Sequence, residues 1–579
     1  MTMKFLKSTF SLSALLMVLL FVSCKKSLPK QLQYIPKDAT VVFSVNVKSL
    51  NDKLADSKVS VDSLVKSLMA ESKTTPEDVK KWDDLKDAGI DWTSDVYGFY
   101  ESKGSLMAGS SQVMGAVAAV SSSSKLEEYL KKQKPGIAIT KAAGGYSEAK
   151  LDDDAIIGWN SDVVIITTIK SYNRYSQDET ASAAPASGIN AQLATLFAQK
   201  ADASVTSIPA FKNFIKEKGD MLLWVNSSGS LASVPQLAMV PKAAELIKDS
   251  YYGGVINFEN GKVVASYNSY VGKVMADIIK KHSNGALDMD MVTKYPSSNV
   301  TGFGVFTFDP AIITDIVRFL GVEATANQLL AGNGMNFTLE DITKSFKGDF
   351  AIIGSDLVTE QKVNPEFPEY PSTEPSVKYL FNGKVGDKAA YDKVLTALAS
   401  KGLLTKVGTA YVPAMNMGGK VLFVLDEKNI FVASDSVLLS QYKAGTGKAV
   451  IADNILSEGK GKSGFAYVDF TKIMSQIPAR GSDTFSLNQV KATLKDLIVT
   501  SDKFDGNVMK GKFELRTLNE KENSLATFIK MGSAIAANEK AQAAKRQQLT
   551  DELDSAATAI DSAAVVVDTA VAAEPVRKP

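Results

Sequence analysis

The sequence predicts an α+β fold in which two tandem copies of one unit each form a mainly antiparallel sheet with helices packed on one face. Short stretches of alternating apolar and polar residues are joined by tight turns, which favours antiparallel strands. Helical patterns lie between the strands, and segments of the first half recur in the same order in the second. The chain has 579 residues, more than one core normally holds, and a duplication accounts for this length.

The N-terminal segment is typical of an export signal. Lys4 and Lys7 form a basic region, and residues 10–22 form an apolar run that is too short to cross a ~30 Å hydrocarbon core as a helix. The run ends at Cys24, the only cysteine of the sequence, which therefore cannot form an intramolecular disulfide or a thiolate metal site. We predict a signal over residues 1–23 and a function for Cys24 at its boundary.

This boundary resembles that of bacterial lipoprotein signal peptides, in which the cysteine becomes the acylated first residue of the mature protein. Phe21 stands where the usual motif has leucine. The resemblance implies lipid, including palmitate, on Cys24, a lipidated tether at 24–33, and a place in the cell envelope, in the outer membrane. Surface-exposed Bacteroidetes lipoproteins resemble one another in having acidic residues after the cysteine. Lys25 and Lys26 follow it here, which favours the periplasmic face.

Two units then open with the same pattern, a turn containing proline followed by a strand. They are predicted at 34–284 and 290–535, with Pro36 matched to Pro296 and Phe43 to Phe303. Further matches follow in the same order: strands at 95–100 and 349–354, hairpins at 156–167 and 421–433, strands at 221–225 and 465–468, and hairpins at 259–261 and 505–507. Residues 178–187 and the proline-rich 364–371 interrupt the pattern, and we predict surface loops there.

The C-terminal segment, 536–579, is predicted to be an alanine-rich helix followed by a disordered tail. The helical pattern begins at Asn523 and continues to Leu553. From Ala556 the composition is biased to Ala, Val and Asp and includes Pro575, which favours a tail without fixed structure.

Composition excludes several classes of function. Lys and Arg total 65 against 64 Asp and Glu, and a net charge of +1 is too small to attract nucleic acid. His282 is the only histidine, and its polar surroundings predict a helix end that faces water. One histidine leaves little basis for a Ser-His-Asp triad or a zinc site. The acidic clusters at 152–154 and at Asp288 and Asp290 lack the spacing of a calcium loop and are interpreted as solvated turns. No cofactor or metal is predicted.

Two further sets of sequence motifs indicate a function only if the elements around them fit that function. The glycines at 459–464 have the spacing of a dinucleotide fingerprint, but a strand follows them where a helix is required, so a turn is predicted. The second set resembles the motifs of penicillin-recognising serine hydrolases: Ser63 with Lys66, Ser171 with Asn173, and Lys462-Ser463-Gly464. Such a site would be divided between the two units. It is retained as an alternative.

The opening Ile35-Pro36-Lys37-Asp38-Ala39, the succession of strands and helices, and the export signal together resemble Bacteroidetes lipoproteins of the domain of unknown function 4836 family. That resemblance implies no activity. We therefore expect a lipid-anchored envelope protein that is a non-enzymatic binding or assembly module, with an envelope protein or a glycan as partner and no catalytic residue. The alternative is an envelope hydrolase that acts on cell-wall or glycan material through the Ser/Lys set or through paired carboxylates.

Overall fold

The computed structural model describes residues 28–571, except 72–74, 106–108, 173–185, 228–239, 241, 283–284, 365–366, 416–420 and 479–483. Ten strands lie in the first half of the chain: β1 Val41–Val45, β2 Val96–Ser105, β3 Gly109–Ala119, β4 Ile139–Lys141, β5 Ser147–Lys150, β6 Ala155–Trp159, β7 Val163–Tyr172, β8 Met221–Asn226, β9 Tyr251–Glu259 and β10 Lys262–Tyr270. Ten more lie in the second half: β11 Val300–Thr307, β12 Phe346–Asn364, β13 Phe367–Val385, β14 Leu404–Val407, β15 Ala410–Pro413, β16 Leu422–Leu425, β17 Asn429–Ala433, β18 Gly464–Asp469, β19 Leu494–Ser501 and β20 Val508–Thr517.

Antiparallel pairing joins these strands into one sheet, in the order β4-β5-β6-β7-β3-β2-β1-β8-β9-β10-β20-β19-β18-β11-β12-β13-β17-β16-β15-β14. Each second-half strand takes the place of the first-half strand whose number is ten lower. The predicted α+β fold with two copies of an antiparallel unit is therefore confirmed. The copies meet where β10 pairs with β20. The boundaries 34–284 and 290–535 stay a prediction.

Helices connect the strands in both halves. Those of the first half are α1 Val47–Leu54, α2 Val61–Glu71, α3 Pro76–Lys86, α4 Ser123–Gln133, α5 Ala186–Phe197, α6 Pro209–Phe214, α7 Ala243–Ile247 and α8 Lys273–Ile279, with 3-10 turns at Lys30–Tyr34, Ala201–Ala203 and Val205–Ser207. Those of the second half are α9 Asp290–Thr293, α10 Ala311–Phe319, α11 Glu323–Gly332, α12 Leu339–Lys344, α13 Lys388–Ser400, α14 Ser436–Ala444, α15 Asp453–Glu458, α16 Phe470–Gln476, α17 Thr484–Thr493 and α18 Ser524–Val571.

Each half buries one face of its strands in a hydrophobic core. In the first half, Val42 and Trp224 of neighbouring strands belong to this core together with residues of α5 and α6. In the second half, Phe303 and Phe465 occupy the corresponding strands, and residues of α14 and α15 join them. Because successive strand residues point to opposite faces, these buried positions also fix which residues point away from the core.

The last helix of each half packs against the other half. α18 follows β20 of the second half, and its residues Leu525 and Ile529 pack with Leu54 of α1. α8 follows β10 of the first half and lies against α10 of the second. The two halves are therefore joined by these exchanged helices as well as by the sheet.

One predicted match between the halves is wrong. Phe303 is buried, 5% exposed, whereas Phe43 points away from the core and is 48% exposed. The first-half residue equivalent to Phe303 is Val42, which is 3% exposed. Val42 pairs with the buried Phe99 of β2, as Phe303 pairs with the buried Ile353 of β12. Phe303 lies seven positions after Pro296, whereas Val42 lies six after Pro36, and the pairing of β11 with β12 shifts register between Val300 and Gly302. A shift of one residue moves a strand position to the other face.

Of the proline-rich segment predicted as a loop at 364–371, Asn364 ends β12 and residues 367–371 begin β13, so these residues are strand instead. Residues 365–366 lie outside the described part of the chain. β12 and β13 extend as a two-stranded ribbon beyond β11 and β17, which pair with them only up to Ser355 and Leu380. Prolines are tolerated in this ribbon because its outer edges have no strand partner. Of the other predicted loop, residues 178–185 lie outside the described part of the chain.

The C-terminal helix is longer than predicted. α18 continues to Val571, so the tail predicted from Ala556 is helical over the described residues. Alanine is the strongest helix former, and the sequence has neither Gly nor Pro between Gly532 and Pro575, so nothing ends the helix at Leu553.

Truncation of Ile529 tests the exchanged packing of α18. Ile529 is 5% exposed and lies in the cluster with Leu54. We expect Ile529→Ala to lower the free energy of unfolding by about 2–4 kcal/mol, because a buried isoleucine leaves a cavity. Leu549→Ala on the same helix, where the leucine is 58% exposed, should change it by less than about 0.5 kcal/mol. Denaturant unfolding measures both, and equal effects would contradict the packing.

Candidate functional site

The residues predicted from sequence do not assemble into a catalytic site in the described part of the chain. Ser63 donates to the carbonyl of Ser60 at 2.7 Å, and Lys66 forms an ion pair with Asp83 at 2.9 Å. Lys462 pairs with Asp502 at 2.5 Å. It lies within the glycine segment 459–464, which forms a turn before β18 as predicted. Cys24 and Asn173 lie outside the described residues.

His282 does not face water as predicted. Its side chain is only 10% exposed, with Nδ1 2.8 Å from Asp309 and Nε2 3.2 Å from Asp315. The histidine belongs to the first half and both aspartates to the second, so this cluster links the halves beside α8 and α10. Sequence reasoning missed the link because the two carboxylates lie far from His282 along the chain.

The acidic clusters are held by protein groups. Asp152 accepts a hydrogen bond from the backbone N–H of Asp154 at 3.2 Å, so this cluster forms a turn. Asp288 and Asp290 each pair with a lysine, Lys384 at 3.7 Å and Lys294 at 2.7 Å. No group of three or more potential metal ligands occurs within the described ranges.

On the outward side of the sheet, two rows of neighbouring residues contain no charged side chain across ten successive strands, from β2 through β1, β8, β9, β10, β20, β19, β18 and β11 to β12. We call this surface the uncharged face and define it by two rows of directly paired residues, one from each strand. The first row is Val96, Val45, Met221, Ile256, Ala265, Phe513, Val499, Ala466, Gly304 and Ile352. The second is Gly98, Phe43, Leu223, Gly254, Tyr267, Gly511, Ser501, Gly464, Phe306 and Phe350.

Glycines let aromatic rings lie along this surface. A Cβ on Gly98 would come within 2.1 Å of the Phe43 ring, and one on Gly511 within 2.3 Å of the Tyr267 ring. Each ring therefore covers the glycine of the neighbouring strand. Because a large ring on one strand lies over a glycine on the next strand, the uncharged face is flatter at these positions.

The uncharged face is open to solvent. Four of its large residues are about half exposed: Phe43 48%, Leu223 45%, Phe513 45% and Ile352 53%. Ten strands spaced at ~4.8 Å make it about 43 Å wide. Contiguous apolar surface of this extent is unusual on a soluble protein and indicates a binding surface.

A polar pocket of about 840 Å³ lies on the other side of the sheet, in the second half. Its floor comes from β13 and β17, which place Asn382 opposite Phe431 and Lys384 opposite Asn429. Tyr442 of α14 lines it as well. Burial raises the pKa of the Tyr442 hydroxyl to about 12, so this group is a neutral hydrogen-bond donor and acceptor at physiological pH.

The fold and these surfaces define an α+β protein with one large, open antiparallel sheet. The chain belongs to the family described as domain of unknown function (DUF4836), whose model matches residues 32–502. No curated protein matches it. Among the described residues, no helix has the length and apolar character needed to cross a membrane.

Solved structures of TP0453 show a limited likeness. "Structure of crystal form III of TP0453" has 10% identity and a TM-score of 0.25, covering 45% of this chain and 90% of that one. "Structure of crystal form IV of TP0453" has 12% identity and a TM-score of 0.24, covering 45% and 87%.

Proposed function

We propose that the protein is a lipid-anchored, non-enzymatic binding protein of the cell envelope, and that its uncharged face binds hydrocarbon, as in the acyl chains of lipids. The observation that carries this proposal is the pair of uncharged rows that cross ten strands. Apolar surface gains roughly 25 cal/mol for each Å² that leaves water, so a half-exposed face of this width favours an apolar occupant.

Hydrocarbon suits the uncharged face better than a protein partner. Protein interfaces carry about one hydrogen bond per 100–200 Å², and the two rows offer only the hydroxyls of Tyr267 and Ser501 as polar side-chain groups. An acyl chain needs no hydrogen bonds. One leaflet of a bilayer has hydrocarbon about 15 Å deep, half of the ~30 Å core, so the face is wide enough for acyl chains to lie across it.

The proposed lipid anchor would hold the protein at a bilayer, whose acyl chains are such a partner. Lipid on Cys24 would leave five residues, 25–29, before Lys30, where the 3-10 turn Lys30–Tyr34 begins. The distance from Cys24 to Lys30 is then at most about 20 Å. Leu32 in this turn is fully buried in the first-half core, so the folded part would stay close to the bilayer. We place the protein at the outer membrane and favour its periplasmic side, because Lys25 and Lys26 follow the cysteine.

Charged substitutions test the uncharged face. We expect Phe43→Asp and Ile352→Asp to weaken binding of a fluorescent fatty acid at least tenfold, because a carboxylate in contact with hydrocarbon loses its hydration. Both residues are already about half exposed, so the thermal midpoint should change little. Leu549→Asp, at an exposed leucine of α18, is the matched control and should bind like the wild type.

Two outcomes of that titration would overturn the proposal. One is a wild-type protein that does not bind the fatty acid, and the other is equal binding by all three variants. If sedimentation showed a dimer that only Phe43→Asp and Ile352→Asp dissociate, the occupant would be a second copy of the chain.

Palmitate labelling tests the anchor separately. Cells that express the full chain should incorporate labelled palmitate into the wild type, whereas Cys24→Ser should lose the label and leave the membrane fraction. The sequence has no other cysteine that could take the lipid in its place. An unlabelled wild type, or a Cys24→Ser protein that stays membrane-bound, contradicts lipid attachment.

A further inference from the structure

Two asparagines that line the polar pocket of the second half have buried amide oxygens without a partner among the described residues. Tyr442 donates its hydroxyl proton to the carbonyl of Met291 at 2.8 Å and therefore accepts from Nδ2 of Asn382 at 3.0 Å. This fixes the orientation of the amide and leaves its Oδ1 unpaired, although Asn382 is 2% exposed. Oδ1 of Asn429, on the neighbouring strand, is also buried without a partner. Buried acceptors of this kind require a donor.

The first half shows that the fold does not require polar residues here. Its β3 and β7 pair Val117 with Ile165 and Ala119 with Val163, where β13 and β17 pair Asn382 with Phe431 and Lys384 with Asn429. Val117, Ile165 and Val163 are completely buried in the first-half core.

Two local markers fix this correspondence. Ser122 caps α4 five residues after Val117, and Asp387 caps α13 five residues after Asn382. Asn160 accepts two backbone hydrogen bonds in the turn before β7, and Asp426 accepts two in the turn before β17. Both markers align the strands in the same register.

The first half also fills the corresponding space. Its β4–β5 turn carries Tyr146, 6% exposed, whose ring stacks on Phe197 at a centroid distance of 4.0 Å within the core. The β14–β15 turn of the second half carries Thr409, which lines the pocket and is exposed. An apolar, filled site in one copy is therefore a polar, open site in the other.

The charges of the pocket are largely balanced by its own ion pairs. Lys443 lies 2.8 Å from Asp426, and the Lys384–Asp288 and Lys294–Asp290 pairs line the same space. A charged ligand would compete with these pairs. A neutral ligand with several hydroxyls would donate to the amide and carboxylate oxygens and accept from the ammonium groups.

We propose that this pocket binds a neutral polyhydroxylated ligand of the carbohydrate class. The proposal is independent of the uncharged face, which lies on the other side of the sheet. A free sugar and the end of a polysaccharide share this chemistry, so soluble trisaccharides and the corresponding insoluble polymers are both needed as probes.

The experiment uses the full chain and saturation-transfer NMR with maltotriose, cellotriose and chitotriose, together with pull-down by the insoluble polymers. At least one neutral sugar should bind. The double variant Asn382→Val and Asn429→Val, which copies the first half, should weaken that binding at least tenfold. Asn454→Val, at an exposed asparagine of α15, is the matched control and should not change it.

A second variant guards against misfolding of the double variant. Thr409→Tyr changes an exposed turn residue and should close the pocket as Tyr146 does in the first half, with loss of binding and an unchanged thermal midpoint. The cationic glucosamine trimer and the anionic galacturonic acid trimer serve as charged comparison probes in the same NMR experiment. The proposal is overturned if no neutral sugar binds in either format, if binding survives Thr409→Tyr and the double variant, or if only a charged trimer binds.

Discussion

The backbone pairing of β10 with β20 is the interaction on which the rest of the structure depends. Residues Lys262–Tyr270 pair in an unbroken register with residues 508–516 and turn two ten-strand sheets into one. Without this ladder, each half would end in an unpaired strand edge, a site open to association with other chains. With it, the rows of the uncharged face run from one half into the other, because side-chain direction is conserved across paired strands.

The exchanged helices reinforce the same joint. α18 packs on α1, and the His282 cluster joins the end of the first half to Asp309 and Asp315 of the second. Two copies that share a sheet and exchange helices cannot separate without exposing these cores. The two copies can nevertheless differ in their buried residues, as Val117 and Asn382 show at matching positions.

The order of the elements was predictable because its signals are local. The hairpin between β9 and β10, for example, carries Asn260-Gly261, a turn sequence with a known geometry, and Gly261 does adopt a positive φ of 72°. Register was not predictable in the same way. A single extra residue at the register shift of β11, between Val300 and Gly302, was enough to match Phe43 with the wrong face. Nothing in the local sequence distinguishes a buried phenylalanine from an exposed one.

The candidate surfaces were harder to predict than either the order of the elements or the strand register. Strands such as Met221-Leu222-Leu223-Trp224-Val225 are apolar at every position, which predicts a strand that is apolar on both faces. The alternating pattern of most other strands predicts a polar outward side, and for this reason the uncharged face was not predicted. The pocket depends on Asp288, Asn382, Asn429 and Tyr442, which only the fold brings together, so of these residues the sequence drew attention to Asp288 alone.

Native-state hydrogen exchange of the full chain is the most direct test that the two halves form one sheet. If they do, the amides of β10 and β20 should exchange as slowly as those of β1 and β11, which lie inside the two halves. The hydrogen bonds of all four strands then break only when the whole sheet unfolds. Exchange of β10 and β20 at the rate of the edge strands β4 and β14 would contradict the joint and, with it, the continuous uncharged face.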